Sequence, residues 1–237
     1  MSEPSASTEF NGRRIAIFGT GSELELATAR ALTAAGARVV SDVSDDGVDR
    51  AVEQLGGLDI AIRYATTRSR EAALTADAAS WRDDVDGVLA GAFAVSQAAA
   101  RAMSASGGGS IVLVGSVDAT HAYPGRSTAA AAMAGLAGLT RALGVELAAL
   151  GIRVNLVVPG PQPDERAGGR AAADPRLLEQ ARLRSPAHRL ATPSEIAAAI
   201  LFVAGTRASF MTGQALHVDG GWTSLNQAAQ VLPPMTG

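Results

Sequence analysis

The stretch RRIAIFGTGSELELATARALTAAGARVV, residues 13–40, decides the fold class of this chain. It begins with a short apolar run typical of a buried strand, and a glycine-containing turn follows. Residues 23–35 then carry apolar side chains at helical spacing, and Gly36 favours the end of that helix. A second apolar run at 37–40 completes a strand–helix–strand unit, with which a doubly wound parallel sheet begins.

The rest of the chain continues this alternation of strands and helices. Further strands are predicted at 58–62, 111–114, 152–158 and 214–218, and helices at 47–55, 75–104, 127–150, 175–184 and from 192 onward. No repeat or linker divides the sequence. We therefore expect an α/β fold with one Rossmann-like domain at 13–237, preceded by a loose leader at 1–12.

The composition excludes several classes of function. A net charge of -3 gives no basic surface for nucleic acid, and the apolar run at 129–139 is too short to span a bilayer. The chain has no cysteine, which is compatible with a reducing cytoplasm, where we expect the protein to be. His121, His188 and His217 stand apart from acidic clusters, so no metal site is expected.

Three segments together resemble the short-chain dehydrogenase/reductase family. They are GSVDATHAYPGRSTAAAAMAGLAGLTR at 115–141, IRVNLVVPG at 152–160 and TPSEIAAAILFVAGTRASFMTGQALHVDGGW at 192–222. The resemblance covers nearly the whole chain. It implies one layer of parallel sheet between helices, assembly as a dimer or tetramer, and nicotinamide-dependent redox activity.

The catalytic positions of that family are mostly replaced in this chain. In the family a Ser closes the strand, a Tyr follows 13 positions later, a Lys four positions after that, and an Asn lies on the preceding helix. The corresponding residues here are Ser116, Ala129, Met133 and Val88, and the sequence contains no lysine at all. Because a general acid must be titratable, Ser116 is interpreted as a vestige of a lost catalytic set.

The loop that holds the cofactor's diphosphate in the family is also altered. The family pattern has glycines at positions 19, 23 and 25, whereas this chain has Gly19, Glu23 and Glu25, with Gly21 between them. The two acids are either solvated residues at a helix start or a plug that excludes anions. A like-charge contact with a phosphate at about 4 Å costs on the order of 4 kcal/mol at an effective dielectric of about 20. Both alternatives disfavour NAD(P).

The remaining part of the cofactor pocket is expected to be incomplete. Asp42 lies where an acidic residue can hold a ribose hydroxyl. The motif SDVSD at 41–45 resembles the one that follows the family's third strand, but here it joins the second strand directly, so one βα unit is shortened. With Pro159 and Gly160 this makes a vestigial pocket, and no cofactor is expected, or NAD(P) if any.

Two groups of residues leave alternatives open. Tyr123 and His121 either face the pocket as substitute catalytic groups or pack a loop beside it. An arginine-rich segment in the substrate region either meets a phosphate-bearing ligand or is a solvated surface. Its members are Arg166, Arg170, Arg176, Arg182, Arg184 and Arg189.

These replacements lead to three functional hypotheses. The main one is a catalytically impaired pseudoenzyme, a non-catalytic subunit that pairs with an active homologous chain in a homo- or hetero-oligomer. The second is an NAD(P)-dependent oxidoreductase or ketoreductase with non-standard residues, using Ser116 with Tyr123 or His121. The third is a cofactor-free protein that binds a ligand in the same pocket.

Overall fold

A computed structural model of the chain describes residues 9–19, 21–67, 70–162 and 175–225. Within these ranges six parallel strands form one sheet in the order β2-β1-β3-β4-β5-β6. The strands are β1 Arg14–Phe18, β2 Arg38–Val43, β3 Ile60–Tyr64, β4 Gly109–Val114, β5 Ile152–Pro159 and β6 Ala215–Val218. The helices are α1 Glu23–Ala34, α2 Val48–Leu55, α3 Ala78–Ser104, α4 Ser127–Glu146, α5 Pro175–Arg184 and α6 Pro193–Ala204.

The order of the strands reverses beside β1. The chain passes from β1 outward to β2, returns across β1 to β3, and then adds β4, β5 and β6 on that side. Such a reversal opens a crevice at the carboxyl ends of β1 and β3, where open α/β sheets bind ligands. The predicted doubly wound α/β fold is confirmed, and the short connection from β2 to β3 holds α2 as its one helix.

Side chains alternate along the strands between two apolar cores. Ile15 and Ile17 of β1 pack with residues of α1 and α6 on one face of the sheet. Ala16 and Phe18 point to the opposite face and pack with residues of α2, α3 and α4. Because helices cover both faces, the ends of the strands and the loops that follow them are left to form a site.

The helix α4 is part of the core despite its length and apolar composition. Among the described helices it alone could cross a membrane by those two criteria, with a mean hydropathy of 1.3 in its most apolar window. It packs against α3 and β5, and Ala129, Met133 and Leu136 are buried there. Its apolar face is therefore used inside the domain. The expected lack of membrane contact stays a prediction.

The folded domain begins earlier than the predicted leader allows. Glu9 is buried, and its carboxylate accepts hydrogen bonds from the backbone N–H groups of Thr206 at 2.5 Å and Arg207 at 3.1 Å. Phe10 is buried in the core with α1 and α6. The turn after α6 needs an acceptor for its N–H groups, which is why this acidic residue is fixed there. Residues 1–8 of the predicted leader lie outside the described residues.

Candidate functional site

A hydrogen-bonded cluster of three polar residues lies directly after β4. Ser116 precedes a 3-10 turn at Val117–Ala119, and its hydroxyl donates to the carboxylate of Asp118 at 2.9 Å. The backbone N–H of Asp118 donates back to the Ser116 hydroxyl oxygen at 3.3 Å. Arg126 donates to the same carboxylate through Nη2 at 2.5 Å and Nε at 3.4 Å. Asp118 is 6% exposed, so this ion pair is largely removed from water.

The structure therefore gives Ser116 a titratable partner that the sequence interpretation missed. Asp118 lies two residues after Ser116, which is the spacing at which a serine hydroxyl accepts the backbone N–H of a turn. Arg126 reaches the pair only because the loop from 119 to 126 folds back before α4 begins. The first of these contacts has a local sequence signal, whereas the second depends on the loop conformation.

An aromatic pair lies between this cluster and the arginine-rich segment. Trp222 donates its indole N–H to the phenol oxygen of Tyr123 at 2.5 Å. The guanidinium of Arg184 lies 5.0 Å from the Trp222 ring centre and 5.6 Å from that of Tyr123, within the range of a cation–π contact. Burial raises the pKa of the Tyr123 phenol, and Asp118 acts in the same direction. The phenol is therefore neutral at pH 7 and keeps its own proton to donate.

The other candidates near this cluster have different surroundings. His121 places Nδ1 3.3 Å from the hydroxyl of its neighbour Thr120. In the arginine-rich segment, Arg182 pairs with Glu179 and Arg189 with Glu195. Arg166 and Arg170 lie outside the described residues. Arg184 is thus the member of that segment for which the structure describes a contact with Tyr123 and Trp222.

The three positions interpreted as lost catalytic groups lie in the apolar core. Ala129 is fully buried on α4, and Met133 and Val88 are almost fully buried. The sulfur of Met133 would lie 3.3 Å from a Cβ added at Gly115, so this side chain closes the space beside the end of β4. None of these three side chains can transfer a proton, and Ser116 is the polar group left at the strand end.

The loop after β1 is filled by one of its own acids. Glu25 accepts a hydrogen bond through Oε2 from the backbone N–H of Gly21 at 3.0 Å and is only 2% exposed. A Cβ added at Gly19 would collide with the same carboxylate, so Glu25 lies against the glycine backbone. Glu23, in contrast, is solvent-exposed. Of the two alternatives for these acids, Glu23 has the geometry of the solvated helix-start residue and Glu25 that of the plug.

A partly buried ion pair crosses the crevice on its other side. Arg63, at the end of β3, donates to Asp45 through Nε at 3.0 Å and Nη2 at 2.7 Å. Its guanidinium also donates to the carbonyl oxygens of Gly87 and Val88 in α3. Since β1 lies between β2 and β3, a bridge from the loop after β2 to the end of β3 passes over the end of β1. Asp42 itself lies in β2, and its side chain is outside the described residues.

Pro159 and Gly160, the last two residues of the predicted pocket, pair with β6 at the edge of the sheet. Pro159 ends β5 in register with Val218 of β6, and the N–H of Gly160 donates to the Val218 carbonyl at 3.0 Å. A Cβ at Gly160 would lie 2.9 Å from the Cα of Asp219, so the two chains pass closely there. These contacts fix the edge of the pocket beside β6.

The described residues, as they are arranged, do not fit a dinucleotide. A diphosphate is held by free backbone N–H groups at a helix N-terminus, and here the Gly21 N–H is bonded to the carboxylate of Glu25. In addition, Arg63 and Asp45 occupy the space beside Gly91 on the neighbouring helix. No group of His, Asp or Glu suited to a metal ion occurs in the part of the chain that the structure describes.

Comparisons with known proteins connect the whole fold to enzymes. A family profile described as enoyl-(acyl carrier protein) reductase matches residues 11–223. A cis-4-hydroxycyclohexanecarboxylate dehydrogenase of Sinomonas cyclohexanicum is 40% identical over 206 residues, covering 83% of this chain and 82% of the relative. A galactitol 2-dehydrogenase (L-tagatose-forming) of Cereibacter sphaeroides is 34% identical over 244 residues, covering 90% and 96%.

A solved structure shows the same architecture with a cofactor bound. The gluconate 5-dehydrogenase from Burkholderia cenocepacia J2315, in complex with NADP and tartrate, superposes with a TM-score of 0.86 at 29% identity. It covers 93% of this chain and 100% of its own.

These comparisons contradict the main functional hypothesis drawn from the sequence. The prediction of a pseudoenzyme that serves as a non-catalytic subunit is wrong, because the matched family profile and the relatives above carry the names of dehydrogenases and reductases. The expectation that the protein is not an enzyme is wrong for the same reason. The comparisons do not support the prediction that no cofactor is used, because the gluconate 5-dehydrogenase was solved in complex with NADP.

Proposed function

Because the chain belongs to the short-chain dehydrogenase/reductase family, we propose that it is an oxidoreductase that interconverts a hydroxyl and a carbonyl group with NAD(P) and non-standard acid–base residues. Ala129, Met133 and Val88 are taken as the positions of the family's Tyr, Lys and Asn, so other groups must move the proton. The observation that carries the proposal is the hydrogen-bonded set of Ser116, Asp118 and Arg126 at the end of β4.

In this set the serine hydroxyl is the group proposed to meet the substrate. Ser116 donates to Asp118, so it can accept a proton from a substrate hydroxyl while its own proton passes to the carboxylate. A base must lie within hydrogen-bond reach of the group that gives up the proton, about 2.6–3.2 Å between heavy atoms, and the 2.9 Å between the Ser116 and Asp118 oxygens satisfies this. Arg126 holds the carboxylate in place and balances its charge. In the reverse direction the same contacts return the proton.

Tyr123 is proposed to bind the substrate rather than to ionise. The indole N–H of Trp222 fills one acceptor site of its phenol and fixes the ring, which leaves the phenol proton for a substrate oxygen. Burial raises the pKa of Tyr123, which suits a neutral hydrogen-bond donor and not a base near pH 7.

We propose hydroxy or keto carboxylic acids as the substrate class. The exposed guanidinium of Arg184 lies over the rings of Tyr123 and Trp222, and such a guanidinium matches the planar geometry of a carboxylate. Two relatives are named for related compounds, cis-4-hydroxycyclohexanecarboxylate and gluconate. Two observations support this class. The relatives are named for hydroxy acids, and the Arg184 guanidinium lies over Tyr123, which belongs to the loop that follows Ser116.

Activity measurements on matched variants test this function. NADH and NADPH consumption is followed with a panel of keto acids for the unaltered protein, Asp118→Asn and the control His121→Gln. We expect kcat/KM to fall about 100-fold or more in Asp118→Asn and less than threefold in His121→Gln. Equal activity of the Asp118 variant and the unaltered protein would remove Asp118 from the chemistry. Silence with every substrate and both cofactors, in the unaltered protein and also in Glu25→Gln, would remove the redox function.

A cofactor-free ligand-binding protein is the second candidate. It is favoured by Glu25 on the loop after β1 and by the bridge between Arg63 and Asp45, both of which oppose dinucleotide binding. Under this alternative, keto acids would raise the melting temperature of the protein, and neither NADH nor NADPH would bind to it at millimolar concentration.

We also propose a cytoplasmic protein that assembles with a homologous chain or with copies of itself and binds neither nucleic acid nor membrane. The lack of cysteine supports the cytoplasmic location, and the absence of a basic excess argues against binding to nucleic acid. The packed helices α3 and α4 leave Phe93 and Val145 exposed, which supports association along these helices. Light scattering on the purified protein checks this, and a monomer at micromolar concentration would refute self-association.

A further inference from the structure

We infer that Glu25 is an internal ligand of the loop after β1, and that a dinucleotide binds only after this carboxylate is moved or neutralised. The inference rests on the proposed function solely in taking NAD(P) as the dinucleotide. In this inference the Glu25 carboxylate occupies the position in which the loop would otherwise receive a phosphate.

The geometry of the loop carries the first step. The Oε2 atom of Glu25 accepts the Gly21 N–H at 3.0 Å, and the carboxylate lies directly against Gly19. Gly21 has a φ of 77°, in the left-handed region that glycine adopts without strain. An anion that approached the Gly21 N–H would meet the Glu25 oxygens at contact distance.

Glu25 and the neighbouring acid Glu23 differ in their exposure to solvent. Glu25 is 2% exposed, whereas Glu23 on the same helical turn is solvent-exposed. The side chain of Ser22 caps the helix by accepting from the Glu25 backbone N–H at 3.2 Å, which fixes the first turn of α1. The carboxylate of Glu25 is therefore turned inward to the loop and away from solvent.

The charge of the carboxylate decides the competition. The N-terminus of α1 attracts one anion, and Glu25 supplies it from within the chain. A phosphate brought to about 4 Å from a carboxylate is repelled strongly enough to weaken its binding by roughly a thousandfold at an effective dielectric of about 20. Removal of this one charge is therefore expected to act on affinity far more than removal of an exposed charge nearby.

The experiment measures binding without turnover. Inorganic pyrophosphate, NADH and NADPH are titrated by calorimetry into the full-length protein, into Glu25→Gln, and into Glu23→Gln as the matched control. Glu25→Gln keeps the size of the side chain and removes its charge. We expect pyrophosphate and at least one dinucleotide to bind at least tenfold more tightly to Glu25→Gln than to the unaltered protein, and Glu23→Gln to stay within threefold.

The ligands separate a failure of this inference from a failure of the proposed function. Tighter pyrophosphate binding to Glu25→Gln without dinucleotide binding to any variant supports the internal ligand and removes NAD(P) from the function. Dinucleotide binding of equal strength to the unaltered protein and to Glu25→Gln overturns the internal ligand and leaves the function standing. Glu25→Ala provides a second variant if Glu25→Gln does not fold, and unchanged pyrophosphate affinity in it also overturns the inference.

Discussion

At the scale of single residues, two acids have opposite surroundings that determine their roles. Asp118 shares its carboxylate with a serine hydroxyl and a guanidinium beside the end of β4. Glu25 shares its carboxylate with a backbone N–H in the loop after β1. The first arrangement can receive a proton from a neighbour, whereas the second satisfies a loop that would otherwise hold an anion.

The hydrogen bond between Trp222 and Tyr123 gives a prediction at this scale. Tyr123→Phe leaves the indole N–H without its partner in a partly buried position, which is expected to cost about 1–2 kcal/mol of unfolding free energy. Trp222→Phe removes both the donor and the larger ring and serves for comparison. Urea denaturation monitored by circular dichroism gives both values. An unchanged midpoint for Tyr123→Phe would show that the bond contributes nothing to stability.

Neither role could be read from the sequence alone. Glu23 and Glu25 have the same charge and lie in the same helical turn, and only the phase of α1 against the sheet turns one inward. The motif pattern placed Ser116 at the end of a strand, and in the structure Ser116 follows β4 by two residues and precedes the 3-10 turn. It gave no weight to Asp118, although the spacing to Ser116 is a local signal. It could not place Arg126, because that contact depends on how the loop at 120–126 closes, and loop conformation is weakly encoded in residue spacing.

At the scale of secondary-structure elements, the ion pair of Arg63 and Asp45 joins the loop after β2 to β3 and α3. Its two partners are buried to different degrees, with the Arg63 side chain 6% exposed and that of Asp45 38% exposed. Loss of a partner costs most when it leaves the deeper charge uncompensated.

The unequal burial predicts unequal effects of the two substitutions. Asp45→Ala leaves a buried guanidinium with carbonyl partners only and is expected to cost about 3 kcal/mol. Arg63→Met replaces the guanidinium with an apolar chain of similar length, leaves a carboxylate that reaches water, and is expected to cost about 1 kcal/mol or less. The two urea midpoints test this order, and a larger loss in Arg63→Met would contradict it.

The start of α6 gives a further prediction for an element. Thr192 and Glu195 form a capping box, in which each side chain accepts from the other's backbone N–H, at 3.3 Å and 2.8 Å. The sequence TPSE predicts this arrangement, and the structure has it. Thr192→Ala is expected to lower the unfolding free energy by about 1 kcal/mol, whereas Ser194→Ala should change it by less than about 0.5 kcal/mol. Equal effects of the two would argue against the cap.

Elements were predicted more reliably than sites for a physical reason. Apolar periodicity marks strands and helices because whole faces are buried, as with Ile15 and Ile17 against one core and Phe18 against the other. Boundaries differ by a few residues, and β2 runs to Val43 where the prediction stopped at residue 40. A site joins residues far apart in sequence, such as Tyr123 and Trp222, and no local pattern reports that contact.

At the scale of the whole molecule, two acidic residues make stability depend on pH, and one of them, Glu9, joins the two ends of the folded domain. Burial alone would raise the pKa of Glu9, but hydrogen bonds from Thr206 and Arg207 outweigh it and lower the pKa below its usual value. The ion pair with Arg189 and hydrogen bonds from Thr192 lower the pKa of Glu195 to about 2. Both acids therefore favour the folded state in their charged forms.

The sign of these shifts predicts a loss of stability in acid. A carboxylate whose pKa is lowered by folding contributes fully above its unfolded value of 4.5, and the contribution is lost as the pH falls toward the folded value. We expect the urea midpoint to fall between about pH 5 and pH 2. Glu195→Gln should have a shallower fall than the unaltered protein. Identical pH profiles for the two would contradict the assignment of Glu195.

The family relationship also belongs to this scale, and it corrects a conclusion drawn from a few positions. Ala129 and Met133 were interpreted as lost catalytic positions, which suggested an inactive protein, whereas the profile match over residues 11–223 and the named relatives indicate an enzyme. A motif comparison tests whether the usual groups are present. It does not test whether Ser116 has acquired another partner, which is decided by the fold around it.

The most direct measurement is NADPH consumption with a keto acid by Glu25→Gln and by the double variant Glu25→Gln/Asp118→Asn, at equal cofactor occupancy. The first variant has an opened loop and an intact proton path, so we predict steady turnover. The double variant is predicted to be slower by about 100-fold or more. Bound NADPH without turnover in Glu25→Gln, or equal rates in the two variants, would contradict an oxidoreductase that works through Ser116 and Asp118.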